Sequence, residues 1–87
     1  MTEKLPRTTI EQWALLAAIV DRGGYAQAAT ALHRSQSTVS YTVGKLQELL
    51  AVPLLEIRGR KAELNGHGTV LLARARRIVD EMNSLEQ

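Results

Sequence analysis

A chain of 87 residues, 45% of them apolar and 23% charged, sets the expectation of one small globular domain with a modest core. A net charge of +2 admits a nucleic-acid partner without arguing for one, so the placement of the charges has to decide. The lack of cysteine excludes disulfides, thiolate metal sites and a cysteine nucleophile. With no run of about 18 apolar residues and no basic-then-apolar leader, no membrane partner is expected, and a cytoplasmic protein is.

The chain opens on a polar arm, Met1 to Arg7, in which no regular structure is expected. Thr8 and Thr9 both stand at capping-box distance, from Glu11 and Gln12 respectively, so one of them caps a first helix. Ile10, Trp13, Ala14, Ala17 and Val20 recur at helical spacing, and Leu15, Leu16 and Ile19 widen that stripe. Trp13 on the apolar face is expected as a core anchor rather than a stacking platform. Gly23-Gly24 ends the helix. A short Ala-rich helix follows, with Ala28, Ala29 and Leu32 expected to face inward and small enough to let helices approach closely. His33-Arg34 makes a turn, and Ser35 is a good N-cap for the next helix.

From Ser35 to Leu50 the sequence has two faces at helical spacing. Val39, Val43, Leu46 and Leu50 make the apolar one. Opposite them lie Ser37, Ser40, Tyr41, Gly44 and Lys45, uncharged for two turns before the first full charge. A merely solvated face would carry Glu–Lys pairs. Hydroxyls and amides instead suit base edges and phosphate oxygens. Two helices joined by a short turn, the second rich in hydroxyls, is the helix-turn-helix pattern.

Pro53 stops any continuation of that helix. Leu54 to Ile57 and Lys61 to Leu64, separated by Arg58-Gly59-Arg60, predict a small β-hairpin with a basic tip, a wing over 57–61. Asn65 is placed to cap a last helix, near whose start Gly66 and Gly68 are tolerable. Leu71, Ala75, Ile78, Met82 and Leu85 alternate steps of four and three, a 3.5-residue repeat that predicts a seam for self-association, although such a helix can also pack back on its own domain. The fold class expected is mainly α: a winged helix-turn-helix over 1–65, three helices plus the wing, followed by a dimerisation helix over 66–87.

The run from Thr9 to Leu72 resembles the N-terminal DNA-binding domain of LysR-type transcriptional regulators. The residues carrying the resemblance are Ala28-Ala29, Leu32-His33, Ser35-Gln36, Val39-Ser40, Leu46 to Leu50, Val52-Pro53-Leu54, Glu56, Arg58-Gly59-Arg60, Leu64 and Gly68. Molybdate-responsive regulators have a similar head. The resemblance implies a DNA-binding head on a dimerising linker helix, a homodimer with linker helices antiparallel, and a tetramer open to a full-length protein. It also implies a larger effector-sensing domain absent from this chain, so no cofactor is expected here.

Four departures stand out. The family usually has Ser or Thr where Ala26 is expected to cap the second helix, and Gly where Ala51 ends the recognition helix, so fraying or extension is expected there. Tyr41 stands where a long polar side chain is common. Gly44 sits in mid-helix, either for close approach to the sugar-phosphate wall or as a tolerated defect.

The expected function is sequence-specific binding of double-stranded DNA as a homodimer to regulate transcription. Helix 35–50 would enter the major groove, with the wing on the backbone or in the minor groove. Gln36 is assigned to direct base contact, because a Gln can bridge adenine N6 and N7. Ser37, Tyr41 and Lys45 line the groove, Tyr41 as the specificity element and Lys45 nearer the backbone. Ser35, Thr38, Ser40 and Arg34 are candidate phosphate contacts, Ser35 being equally a plain N-cap. Arg58, Arg60 and Lys61 grip the backbone from the wing. The competing reading is a winged-helix interaction module without specific DNA readout. Catalysis is not expected: His33 and His67 have no carboxylate at ligand or triad spacing, and no phosphate-cradling glycine loop is present.

Overall fold

The computed structural model describes residues 3–87, so Met1 and Thr2, the first residues of the expected arm, lie outside the described residues. The rest of the arm, Glu3 to Arg7, is exposed and forms neither helix nor strand. Three helices follow: α1 (Ile10–Arg22), α2 (Tyr25–Leu32) and α3 (Gln36–Leu50). Then come β1 (Leu55–Arg58), β2 (Lys61–Leu64) and α4 (Gly66–Leu85).

Of the two threonines, Thr9 caps α1. Its hydroxyl accepts the Gln12 N–H at 3.1 Å while its own N–H donates to Gln12 Oε1 at 2.9 Å, closing a reciprocal box. Thr8 is used differently, its hydroxyl accepting Trp13 Nε1–H at 3.1 Å. Gly23 adopts φ 95°, and its N–H returns to the Ile19 carbonyl, ending α1. The buried face of α1 is Gln12, Leu15, Leu16 and Ile19. That corrects the expected stripe: Trp13, Ala17 and Val20 are half-buried, Ala14 is exposed, and Ile10 is 37% exposed. Ile10, Trp13, Ala14 and Ala17 border α4 residues, and Trp13, Ala17 and Val20 pack against the outside of the core. Trp13 is therefore an anchor at the core's edge.

Gly24, not Ala26, is the N-cap of α2, and no side chain caps it. Ala26 lies within the first turn, so its missing hydroxyl costs the helix no cap. Ala28 and Ala29 are buried as expected, but Leu32 is 39% exposed. The turn closes on His33 at φ 56°, with the Arg34 N–H donating to the Ala29 carbonyl at 3.0 Å. Val39, Val43 and Leu46 of α3 are fully buried against α1 and α2. Together with Leu54, Ala62 and Leu72 they complete one core, which fixes α3 with its opposite face outward.

Ala51 ends α3 by taking the left-handed conformation itself, φ 60° and ψ 25°. The helix neither frays nor extends there, contrary to the expectation from a missing glycine. An L-residue in that region costs roughly 1–2 kcal/mol, and Pro53 two residues on leaves the chain no helical alternative.

The hairpin is antiparallel with Leu55 opposite Leu64, Glu56 opposite Glu63, Ile57 opposite Ala62 and Arg58 opposite Lys61. Gly59, at φ 64°, opens its two-residue turn, where glycine suits the first central position. The strand β1 thus starts and ends one residue later than the sequence pattern indicated.

Asn65 caps α4 by accepting the Gly68 N–H at 2.8 Å. The apolar residues of α4 divide into two groups. Leu72 and Ala75 are buried against the chain's own core and Leu71 is half-buried, while Ile78, Met82 and Leu85 are 57%, 39% and 81% exposed. The expected seam is therefore split: its first half packs on the chain's own core, and only its second half is left outside.

Candidate nucleic-acid interface

The outer face of α3 presents Gln36, Ser37, Ser40, Tyr41 and Gly44 to solvent, Tyr41 at 69% exposure. They are held there by the burial of Val39, Val43 and Leu46 on the reverse side. A Cβ on Gly44 would meet nothing within 4 Å, so no packing within the chain requires glycine at that position. Lys45, farther along the same face, contacts Glu48 at 3.3 Å.

The start of α3 is a knot of hydroxyls. Ser35 Oγ accepts the Thr38 N–H at 3.1 Å and donates to Thr38 Oγ1 at 2.7 Å, with Ser37 Oγ at 3.2 Å. Ser35 thereby satisfies the helix terminus, and the Thr38 hydroxyl, acting as acceptor toward Ser35, keeps its own proton for an outside acceptor. The first-turn amides of α3 also carry the positive end of the helix dipole, which favours an anion.

The basic residues fall into two kinds. Arg34 meets Glu11 of α1 at 2.6 Å, and Arg58 meets Glu56 at 3.0 Å and Glu63 at 3.9 Å. Glu56 and Glu63 are cross-strand partners, so Arg58 neutralises two like charges set opposite one another, an arrangement that alone would destabilise the hairpin. Arg60 and Lys61 at the wing tip are exposed and have no ion-pair partner among the described residues. The structure thus brings Gln36, Ser37, Ser40 and Tyr41 together on one face. Arg60 and Lys61 stand free on the wing, and Arg34 and Arg58 are engaged by carboxylates of their own chain.

The sequence pattern gives Gln47 no role, and Glu11 none beyond its capping-box distance, yet each ties this surface together. Gln47 accepts two backbone N–H groups at the entrance to the wing, and Glu11 holds Arg34. The only sequence signal for Gln47 is a polar residue four positions after Val43, on the border of the apolar stripe. Tyr25 packs against the core, and burial raises its pKa above the ordinary tyrosine value, so it stays neutral. Among the described residues there is no cluster of metal-ligating side chains, and no helix is long and apolar enough to cross a membrane.

A helix-turn-helix followed by a basic-tipped hairpin defines the winged helix-turn-helix class. Residues 10–69 match the family described as "Bacterial regulatory helix-turn-helix protein, lysR family", and the chain belongs to that family. It is 44% identical over 70 residues to the HTH-type transcriptional regulator PunR of Escherichia coli (strain K12), covering 80% of this chain and 23% of that protein. It is 39% identical over 71 residues to a probable RuBisCO transcriptional regulator of Synechocystis sp., covering 82% of this chain and 21% of the relative. The chain therefore spans less than a quarter of the length of these curated relatives, which are named as transcriptional regulators rather than enzymes. Among solved structures it is similar to the CbnR DNA-binding domain in complex with DNA, at TM-score 0.84 and 32% identity, covering 91% of each chain. The oxidised form of Corynebacterium glutamicum OxyR superposes at TM-score 0.85 and 30% identity, covering 98% of this chain and 26% of that one.

Proposed function

We propose that this chain binds double-stranded DNA sequence-specifically as a homodimer and regulates transcription, with α3 in the major groove and the wing on the backbone or minor groove. The observation that carries the reading is the outer face of α3, where Gln36, Ser37, Ser40 and Tyr41 stand exposed and uncharged beside a wing tip with two cations unpaired among the described residues. Similarity to a DNA-binding domain solved on DNA supports it. Gln36 takes the base-reading role and Tyr41 the specificity role, its ring meeting a thymine methyl and its hydroxyl a base edge or phosphate. Arg60 and Lys61 hold the backbone, with Ser40, Thr38 and Lys45 as further contacts. Arg34 and Arg58 contact phosphate only by sharing or leaving their carboxylate partners.

One head offers a small contact area, so tight binding calls for two. The exposed Ile78, Met82 and Leu85 of α4 supply an apolar surface for pairing. It continues into a groove of about 320 Å³ lined by Pro6, Ile10 and Trp13 as well as Ile78 and Met82. An effector-sensing domain, if a longer protein carries one, lies outside this chain, and no cofactor is assigned to the head.

Selection from random duplex DNA over a salt series tests the reading. Enrichment of an interrupted palindrome, lost in Gln36→Ala, is expected, with affinity falling steeply as salt rises. Salt-sensitive binding without an enriched sequence would remove the specificity claim. A folded dimer that binds no duplex would leave an interaction module in its place.

A further inference from the structure

Gln47 lies on the border between the buried and exposed faces of α3 and is half-buried. Its carboxamide oxygen accepts two consecutive backbone N–H groups, Leu54 at 2.7 Å and Leu55 at 3.2 Å. These residues form the joint at which the chain leaves α3 and enters the wing: Leu54 is fully buried and Leu55 is the first residue of β1. Among the described residues, Gln47 makes the side-chain hydrogen bonds that join α3 to this joint. The opposite side of the joint is held by the start of α4. Asn65 donates its backbone N–H to the Leu54 carbonyl at 2.9 Å and its Nδ2–H to the Pro53 carbonyl at 2.8 Å. Gly68 sits so close to the Leu54 carbonyl that a Cβ there would collide with it.

A two-stranded hairpin has little stability or fixed direction by itself. Beyond the joint each strand is four residues long, and at about 3.3 Å per residue such a strand is a lever of about 13 Å. A tilt of roughly 10° at the joint therefore moves the tip by about 2 Å, enough to break a phosphate hydrogen bond.

We propose that Gln47 is a positioning residue for DNA binding. Its carboxamide oxygen, seated on the Leu54 and Leu55 amides, sets the wing at a fixed angle to α3, so that Arg60 and Lys61 reach the backbone while Gln36 and Tyr41 reach the bases. This rests on the DNA-binding reading above and adds a residue that does not itself touch DNA.

The test measures affinity against salt on the selected duplex for the full 87-residue chain. The variants are Gln47→Met, which removes the acceptor at similar length, Gln47→Glu, which keeps an acceptor oxygen, and the Arg60→Ala/Lys61→Ala wing variant. Gln47→Met is expected to lower the salt slope as the wing variant does, by about 0.9 for each phosphate that is no longer neutralised. It is expected to add nothing in the wing-variant background but to add fully to Gln36→Ala, while Gln47→Glu retains the parental slope. A Gln47→Met slope equal to the parent's, a loss that adds fully to that of the wing variant, or a Gln47→Glu as impaired as Gln47→Met would each overturn the proposal. A measurement on the parent requires no variant to fold: slow hydrogen exchange at the Leu54 amide supports the seat, and exchange at the rate of a free amide overturns it. A parent that binds no duplex overturns the DNA-binding reading itself. A parent with wing-dependent binding that Gln47→Met leaves unchanged overturns this proposal alone.

Discussion

Asp21 near the end of α1 takes both terminal nitrogens of Arg76 in α4, at 2.8 and 3.2 Å, across 55 residues of sequence. The fork bridges α4 to α1 just beyond the point where Leu72 and Ala75 are buried and just before Ile78 and Met82 emerge.

Both members of that pair are about half-exposed, so solvent screening keeps its worth small. A double-mutant cycle with Asp21→Ala and Arg76→Ala, read by chemical denaturation, should give a coupling of about 0.2–1 kcal/mol. The coupling should shrink as salt is raised. A larger coupling that persists in high salt would mean that this pair, rather than burial of Leu72 and Ala75, holds α4 in place.

The glycines divide sharply. At Gly68 a Cβ would strike the Leu54 carbonyl, so Gly68→Ala must push α4 away from the wing joint. A cost of about 1–3 kcal/mol is expected, as for other overpacked sites. Gly44 has open space around it, and Gly44→Ala should stabilise the chain by up to about 1 kcal/mol through helix propensity. Thermal denaturation separates the two. If Gly44→Ala stabilises the fold yet weakens binding to the selected duplex, the glycine is there for close approach to the groove wall; unchanged binding would mark it as a tolerated defect.

The elements were legible because their signals are local. The threonine pair at 8–9, the Ser35 and Asn65 caps, Pro53 and the 58–60 tip each state a boundary in adjacent residues, though the structure had to choose Thr9 over Thr8, and the stripe of Val39, Val43 and Leu46 states the buried face of α3. Less legible was anything decided by a distant partner. Leu32 reads as core by spacing, yet α2 is short and its last turn lies at the domain surface, where Leu32 is 39% exposed. Arg34 reads as a free cation because Glu11 comes near it only in the folded chain; Arg58 has its nearer partner, Glu56, two residues away on the same strand face, and only Glu63 is brought to it by the fold. Ala75 fits the repeat of a dimer seam, and spacing alone cannot tell a partner's helix from the chain's own α1. Gln47 shows only its place on the border of the apolar stripe, since its partners are backbone amides.

Ala51 adopts a backbone conformation that glycine occupies without strain. Ala51→Gly relieves that strain but gives the unfolded chain more freedom, so the net gain should be about 0.5–1 kcal/mol rather than the full cost of the left-handed residue. It should appear as a shift of the denaturation midpoint with the slope unchanged, the sign of a stability change without a change in compactness. A destabilised Ala51→Gly would show that the Ala51 methyl makes a favourable contact outweighing its backbone strain.

The split of α4 separates two substitutions that the 3.5-residue repeat alone would treat alike. Met82 is 39% exposed on the second half of the helix, and Ala75 is 4% exposed within the core. Met82→Glu places a carboxylate on the surface proposed for pairing: sedimentation should shift from dimer to monomer, and a cooperative thermal transition should remain. Affinity for a palindromic duplex should fall toward that of a single half-site. Ala75→Glu instead buries an unpaired charge beneath α1, at a cost of several kcal/mol. In a domain whose whole stability is on the order of 5–15 kcal/mol, that is enough to weaken or abolish folding. Dissociation with a retained fold for Met82→Glu, alongside loss of fold for Ala75→Glu, would divide the helix between its two duties near Ile78. A Met82→Glu chain that stayed dimeric would move the pairing surface off this half of α4.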